Sequence, residues 1–417
     1  MREVEGVVAR LGGRGDGVVD SDRGRLYVPY TVPGDRVRVA IGKPRGDGFT
    51  AELREVMAPG ETRVDPGCEH FHACGGCTMQ QLAPAAYDHW KRDQVVQALA
   101  RRDLTPEVAP LFHAPAGDRR RAEFVARRVP RGVLLGFHER ESLRVVDLVD
   151  CLVLNPALVA LLPRLREGLA PLMKAGEAID VHATVTEAGI DLVLSGTWPR
   201  ETLVGLSNLA EDLDLARLSL RGRGWVEPVA VRRTPVVRFA GIAVTPPPAG
   251  FLQASPAAEA ELQRLVQGFV GSARHVVDLY AGCGTFSLAL AAGGAVVRAY
   301  DDAAAAIGAL TLAAGQGGVG GRIKAEVRDL TRRPLDLPEL KKIEAVLFDP
   351  PRSGAREQVT LLAKSAVPVV VAVSCDPSSF ARDARILVDG GYRLESVHPV
   401  DQFPYTSHVE LAAVFRR

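Results

Sequence analysis

From His275 onward the chain repeats one pattern: a short β-branched run, a turn, then a helical stretch. HVVDLY leads into FSLALA, AVVRAY into AAAAIGALTLAA, and AEVRD, AVLFD and VPVVVAVS continue the series. Parallel strands need long crossovers, normally helices, so repeated βα units dictate a parallel, doubly wound sheet. HVELAAVF, at 408–415, reads as a closing strand. Ligands of such sheets sit beyond the carboxyl ends of the strands. Chemistry is therefore to be sought at the residues that end each strand.

The remaining sequence is organised differently. A chain of 417 residues is long enough for two or three domains. Residues 1–59 carry short β-rich pieces separated by GGRGDG, SDRG, TVPGD and PRGDG, which predict a small OB-like β-barrel. Residues 60–248 mix a cysteine-rich segment, a helix over AAYDHWKRDQVVQALARR, and further strands and helices, as expected of a central α+β domain. PPPAG at 246–250 punctuates the boundary, and 249–417 is the sheet domain. The expected fold class is multidomain α/β.

Composition is that of an ordinary globular protein, 47% apolar and 24% charged. No apolar run has the length of a membrane span, and MREVEGVVARLGG has no signal-peptide pattern. A cytoplasmic chain without membrane contact is expected, in which disulfides are disfavoured. A net charge of +1 does not point to any partner, but RRRAEFVARRVPR at 119–131 sets six arginines against one glutamate. That run is either a phosphate-binding patch or a solvated face.

Six stretches carry candidate chemistry. In VVDLYAGCGTFSLALA a strand reaches Asp278, Gly282 and Gly284 let the backbone approach a ligand, and a helix follows. Ser287 stands where a dinucleotide fingerprint would have a third glycine. AVVRAYDD ends a second strand in Asp301 and Asp302, placed to accept hydrogen bonds from ribose hydroxyls. In AVLFDPPRSG the prolines after Asp349 make a rigid turn that aims the acid into the crevice. Cys375 follows VPVVVAVS just before a helix start. A lone strand cysteine is commonly a small buried hydrophobe, but a helix N-terminus is expected to acidify this thiol. Glu410, inside an apolar strand, must be paired, satisfied or functional.

The sixth stretch, CEHFHACGGCTMQ, spaces Cys68, Cys74 and Cys77 around His70 and His72. It fits a zinc site completed by histidine or an iron–sulfur site awaiting a fourth thiolate. The other pieces suit methylation of carbon 5 of uracil. That carbon is a poor nucleophile until a thiolate adds to carbon 6, and a base must then remove the carbon-5 proton.

CEHFHACGGCTMQ, DRRRAEFVARR, GFLQAS, DLYAGCGTFSLALA, FDPPRSG, SCDPSSFARD and HVE occur in this order along nearly the whole chain. In this the sequence resembles the bacterial RNA uridine C5-methyltransferases, specifically the iron–sulfur branch that acts on large-subunit (23S) ribosomal RNA. The resemblance implies a TRAM-like RNA-binding barrel, an iron–sulfur central domain and a Rossmann-like class I methyltransferase domain. It makes Cys375 the nucleophile and Glu410 the proton acceptor. It sets Gln253 and Asp349 at the uracil edge and the neighbourhood of S-adenosylmethionine, with Tyr280, Gly282, Gly284, Asp301 and Asp329 along that cofactor. It implies a [4Fe–4S] cluster on Cys68, Cys74, Cys77 and, far downstream, Cys151. It implies that segment 84–111 packs on the catalytic domain. A monomer with an RNA partner, 23S ribosomal RNA before transfer RNA, is expected. A 5-methylcytidine enzyme and a non-catalytic iron–sulfur RNA-binding protein are the alternatives. Three features depart from the family: Ser255 stands for an asparagine, Asp301 for a glutamate, and AAGQGGVGG replaces an asparagine-containing helix end.

Overall fold

The computed structural model describes residues 3–417. Strands Glu3–Leu11, Gly17–Ser21, Gly24–Val28, Arg36–Arg45 and Gly48–Ala58 close into a five-stranded barrel. Its interior is filled by Val8, Val19, Leu26, Val28, Val37, Val39 and Ala51, supplied mostly by the inward-facing positions of each strand.

The central body is a six-stranded sheet with helices Pro156–Leu169 and Leu203–Asp212 packed on it. One of its inner strands, Arg121–Val129, is the arginine-rich run. Alternation puts Ala122, Phe124 and Ala126 in the core. The run is thus a sheet strand as well as a source of charge, and only Arg131 of its arginines is exposed. Arg120 is buried in an ion pair with Glu259 at 2.5 Å.

The third body is a sheet in the spatial order 323–327, 296–301, 275–279, 345–348, 369–374, 410–416, 393–401, 107–108. The first five strands are parallel, and helices join them except between 323–327 and 345–348, where residues 328–344 make the crossover through turns alone. The expectation of a wholly parallel sheet needs correction at its far side. Strand Arg393–Asp401 was not foreseen, and Glu410–Arg416 enters antiparallel between it and Val369–Ser374. The loop from 402 to 409 is too short for a helical crossover, so the chain must turn back on itself. A strand running the opposite way begins, rather than ends, at the carboxyl edge. That reversal brings Glu410 to the crevice.

Helix Pro84–Ala100 lies on this third body. Val95, Leu99, Leu104 and Val108 share one core with Phe348, Phe380 and Phe415, and strands Glu107–Val108 and Phe112–His113 pair with Arg393–Asp401. The attachment is secured by a buried charge. Lys91 donates to Asp401 at 2.5 Å and to the carbonyls of Phe403 and His408 at 3.0 and 2.6 Å. The Tyr87 hydroxyl donates to the other Asp401 oxygen at 2.7 Å and accepts from Tyr405 N at 2.9 Å. Among the described residues, no helix is long and apolar enough to cross a membrane.

Lys91 and Asp401 are both almost wholly buried. Removing one partner leaves the other charge without compensation. Lys91→Met is therefore expected to cost about 3–5 kcal/mol, read as a lower urea midpoint at unchanged m-value.

Candidate active site

The crevice at the carboxyl edge of the third sheet has a volume of about 730 Å³, within the range of small-ligand sites. Its walls include Gln253, Tyr280, Gly282, Asp301, Asp329, Asp349, Cys375 and Glu410. Of the residues expected along the cofactor and at the reacting base, only Gly284 is absent from the lining. A Cβ at Gly284 would meet Leu310 Cδ1 at 2.4 Å, so this glycine serves helix packing instead. A Cβ at Gly282 would meet nothing within 4 Å, leaving its backbone open to a ligand.

The glycine turn is braced from both sides. Asp301 accepts from Gly282 N at 2.9 Å and from Ala303 N at 2.8 Å, tying the turn to the next strand end. Ser287, where a third glycine was absent, donates to Asp278 at 2.6 Å. Tyr280 has φ 62°, a left-handed conformation that a bulky side chain adopts only under constraint. Asp301, Asp302 and Asp329 make one acidic wall, with Phe251 and Tyr280 as the aromatic surfaces nearby. An acidic, partly aromatic cleft over an open glycine turn fits a cationic nucleoside such as S-adenosylmethionine.

At the other end of the crevice Cys375 immediately follows its strand, before helix Pro377–Asp389, which Asp376 caps by accepting from Ser379 N at 2.8 Å. Ser374 pairs with Leu411 across the antiparallel strands, so Cys375 and Glu410 emerge side by side. A polar chain runs behind them. Gln253 Nε2 donates to Asp349 at 3.0 Å, and Gln402 Nε2 donates to Gln253 Oε1 at 2.8 Å and to Glu410 at 2.7 Å. Arg352 lies 3.2 Å from His408 Nε2, and both residues face three adjoining cavities: the crevice, a cysteine-lined cavity, and a groove between the barrel and helix Pro84–Ala100.

Cys68, Cys74, Cys77 and Cys151 line that second cavity, of about 720 Å³, together with Arg14, Arg119 and Arg140. All four are free and half-buried. Burial pushes the Cys77 thiol up to about 12, with Cys151, Cys74 and Cys68 adding to the rise. Among the described residues, no three His, Cys, Asp or Glu side chains converge as a site for a single metal ion. His70 Nε2 accepts from Val149 N at 3.0 Å, and His72 packs edge-on against Tyr30, so neither histidine completes a zinc set.

Residues 322–417 match a family profile described as tRNA (Uracil-5-)-methyltransferase. An uncharacterised RNA methyltransferase of Brucella suis biovar 1 is 43% identical over 98% of this chain and 97% of its own length. The 23S rRNA (uracil(1939)-C(5))-methyltransferase RlmD of Chromohalobacter salexigens is 31% identical over 98% of this chain and 88% of its own. The chain belongs to the RNA uracil-5-methyltransferase family. The fold of this methyltransferase is also that of the Pyrococcus abyssi tRNA (uracil-54, C5)-methyltransferase, solved with S-adenosyl-L-homocysteine. That similarity has a TM-score of 0.77 at 24% identity, over 99% of this chain and 100% of that one.

The departures from the family acquire local reasons in this methyltransferase. Ser255 caps helix Pro256–Val270 by accepting from Ala258 N at 3.0 Å, and its hydroxyl donates to Asp118. In AAGQGGVGG, a Cβ at Gly317 would meet Ile242 Cγ2 at 2.6 Å, so the glycine admits the hairpin 237–244.

The electrostatics overturn one expectation. The Cys375 thiol is not acidified by its helix. Burial, then Glu410 and Asp349, push it up to about 11, and Arg352 acts in the opposite sense. Burial also raises Glu410 from 4.5 to about 8, with Asp349 adding to it and the Gln402 hydrogen bond opposing. Sequence reasoning missed Gln402, Phe403 and His408. Their only local signal is a polar and aromatic cluster, DQFPYTSH, directly before an apolar strand.

A carboxyl group raised on folding holds its proton in the native state where the unfolded chain has released it. Its stabilising contribution is complete below 4.5 and is lost as pH rises through about 8. Glu410→Gln removes this dependence. The variant is expected to melt higher than the parent at pH 8 and to show a flatter melting profile between those limits, by circular dichroism.

Proposed function

We propose that this methyltransferase forms 5-methyluridine in 23S ribosomal RNA through a covalent adduct between Cys375 and carbon 6 of the target uracil. The observation that carries the reading is the meeting of Cys375 and buried Glu410 in one crevice, at the end opposite an open glycine turn. S-adenosylmethionine supplies a methyl group on a sulfonium centre. Cys375 releases its proton to solvent, the thiolate Sγ forms a bond to carbon 6, and the electrons of the carbon 5–carbon 6 double bond move to the oxygen on carbon 4. Gln253, whose amide nitrogen faces the crevice beside Asp349, offers a hydrogen bond to that developing oxyanion. Once carbon 5 is methylated, Glu410 in its ionised form takes the proton from that carbon, the double bond re-forms, and the sulfur leaves with the electron pair as the thiolate. A uridine reaches Cys375 only if it is turned out of its stack.

The closed barrel fits a TRAM-like RNA-binding module, with the central body between it and the catalytic body. Cys68, Cys74, Cys77 and Cys151 would hold a [4Fe–4S] cluster, which would cross-link the 68–77 loop to the segment around Cys151. Sulfurs around a single tetrahedral ion lie only about 3.8 Å apart, from zinc–sulfur distances near 2.3 Å. Four thiols spread over one cavity without converging favour a larger, multinuclear group. Arg14, Arg119 and Arg140 in its wall favour a net anionic one. The rRNA reading is supported by the Chromohalobacter relative.

Anaerobically purified protein is given labelled S-adenosylmethionine with unmodified ribosomal or transfer RNA, and product nucleosides are separated. Label is expected in 5-methyluridine from ribosomal RNA and absent with Cys375→Ala. Label in transfer RNA alone would move the substrate, and none in either would overturn the activity. The same preparation is expected to carry about four iron and four sulfide per chain, with Cys151→Ser losing most of both.

A further inference from the structure

The crevice reads a base, and one buried side chain decides how. We infer that Gln402 is a positioning residue that locks the Gln253 amide with its nitrogen toward the crevice, so that the site accepts a 4-oxo pyrimidine and rejects a 4-amino one. This rests on the uridine-methylating reading above and adds to it the source of the choice between uracil and cytosine.

The orientation follows from a donor whose identity is fixed by the backbone. Ala254 N donates to Gln402 Oε1 at 2.8 Å. The Gln402 oxygen must therefore face Ala254, and its nitrogen must face the other way. That nitrogen has two hydrogens and uses both, on Gln253 Oε1 at 2.8 Å and on Glu410 at 2.7 Å. Gln253 must then present its oxygen to Gln402, which leaves its nitrogen for Asp349 at 3.0 Å and one free N–H for the ligand. Gln402 and Gln253 are both 2% exposed, so no solvent relaxes the arrangement. The backbone is held as well: Arg120 Nε donates to Gln253 O at 3.1 Å, and Arg120 N donates to Ala254 O at 2.9 Å.

Turning the Gln253 amide over would set its nitrogen against the Gln402 nitrogen and its oxygen against the Asp349 carboxylate. The contact with the Gln402 nitrogen is repulsive whatever the state of Asp349, and the contact with Asp349 is repulsive when that carboxyl is ionised. Uracil offers an acceptor on carbon 4, which meets the free N–H of Gln253. Cytosine offers an amino donor there, which meets another donor. Discrimination of this kind comes from the unpaired or repelled polar group, and it is strong when that group is buried. Asp349 does not provide the choice unaided. Burial raises it to about 7, so it is able to carry a proton and face either base. The lock is what keeps its neighbour a donor.

The test uses the full chain with Cys375→Ala, so that no turnover occurs. Transcripts of large-subunit ribosomal RNA carry uridine or cytidine at the position the methyl-transfer assay maps. Affinities are compared by filter binding. The parent is expected to favour uridine, and adding Gln402→Leu is expected to shrink that ratio by about 10- to 100-fold. A second variant, Gln402→Glu, keeps the acceptor for Ala254 N and loses the donor, which invites Gln253 to turn. Its preference is expected to move toward cytidine. S-adenosylhomocysteine binding reports that each variant is folded. If both folded variants keep the parental ratio, or if the parent binds the two RNAs equally while the wild type methylates uridine, the lock is overturned and the activity stands. If the wild type methylates no uridine in either RNA, the activity falls and the lock falls with it.

Discussion

The structure turns on a single buried ion pair. Lys91, on the helix that precedes the central body, reaches across to Asp401 and to two carbonyls of the loop that follows it. That loop delivers Gln402, Phe403, His408 and Glu410. An ammonium without solvent must satisfy its three donors, and here all three are spent on the end of strand Arg393–Asp401 and the loop that follows it. The consequence is that a helix distant in sequence from the crevice sets the conformation of the segment that brings these four residues to its wall. The Tyr87 hydroxyl, bridging Asp401 and Tyr405 N, completes the fixation.

A second consequence follows from direction. Had the last strand run parallel to its neighbours, its first residue would lie at the far edge of the sheet. Because it enters antiparallel, Glu410 is set beside Cys375. Burial there raises both groups; Glu410 and Asp349 add to the rise at Cys375, and Asp349 adds to it at Glu410. The free protein thus holds a neutral thiol next to a carboxyl group that resists ionisation. Arg352 is the cation that opposes this for Cys375, and its contact with His408 links the crevice to the cysteine cavity and to the groove beside the barrel. Three bodies of different architecture meet at that pair.

The arginine-rich run illustrates how charge in sequence is divided by folding. Arg120 is consumed internally, paired with Glu259 and anchoring the backbone of Gln253 and Ala254. Arg121 lies 4.6 Å from the ring of Phe251, which is 61% exposed beside the crevice, and Arg119 lines the cysteine cavity. Neighbours in sequence thus serve structure, an aromatic surface and a cavity wall, because Arg119 and Arg120 lie in the segment that leads into the strand and Arg121 opens it.

Much of the site was legible in the sequence. Asp301, Asp349 and Cys375 could be placed because each ends or follows an apolar strand, and strand ends define the crevice of a doubly wound sheet. The barrel was legible from short strands between Gly/Asp turns. What the sequence could not settle was anything that depends on which distant groups face one another. Gly284 looked like Gly282 but packs against Leu310, because the helix after the next strand approaches there. The helix N-terminus after Cys375 promised an acidic thiol, yet burial and two carboxylates brought by other strands reverse the sign. Gln402 stood in an unremarked loop, and only its buried contacts with Gln253, Ala254 and Glu410 give it meaning. Local periodicity determined the strands, turns and chemistry-bearing ends, since these depend on near neighbours. Tertiary structure alone decided strand direction, burial and hydrogen-bond polarity, since these are set by groups hundreds of residues apart.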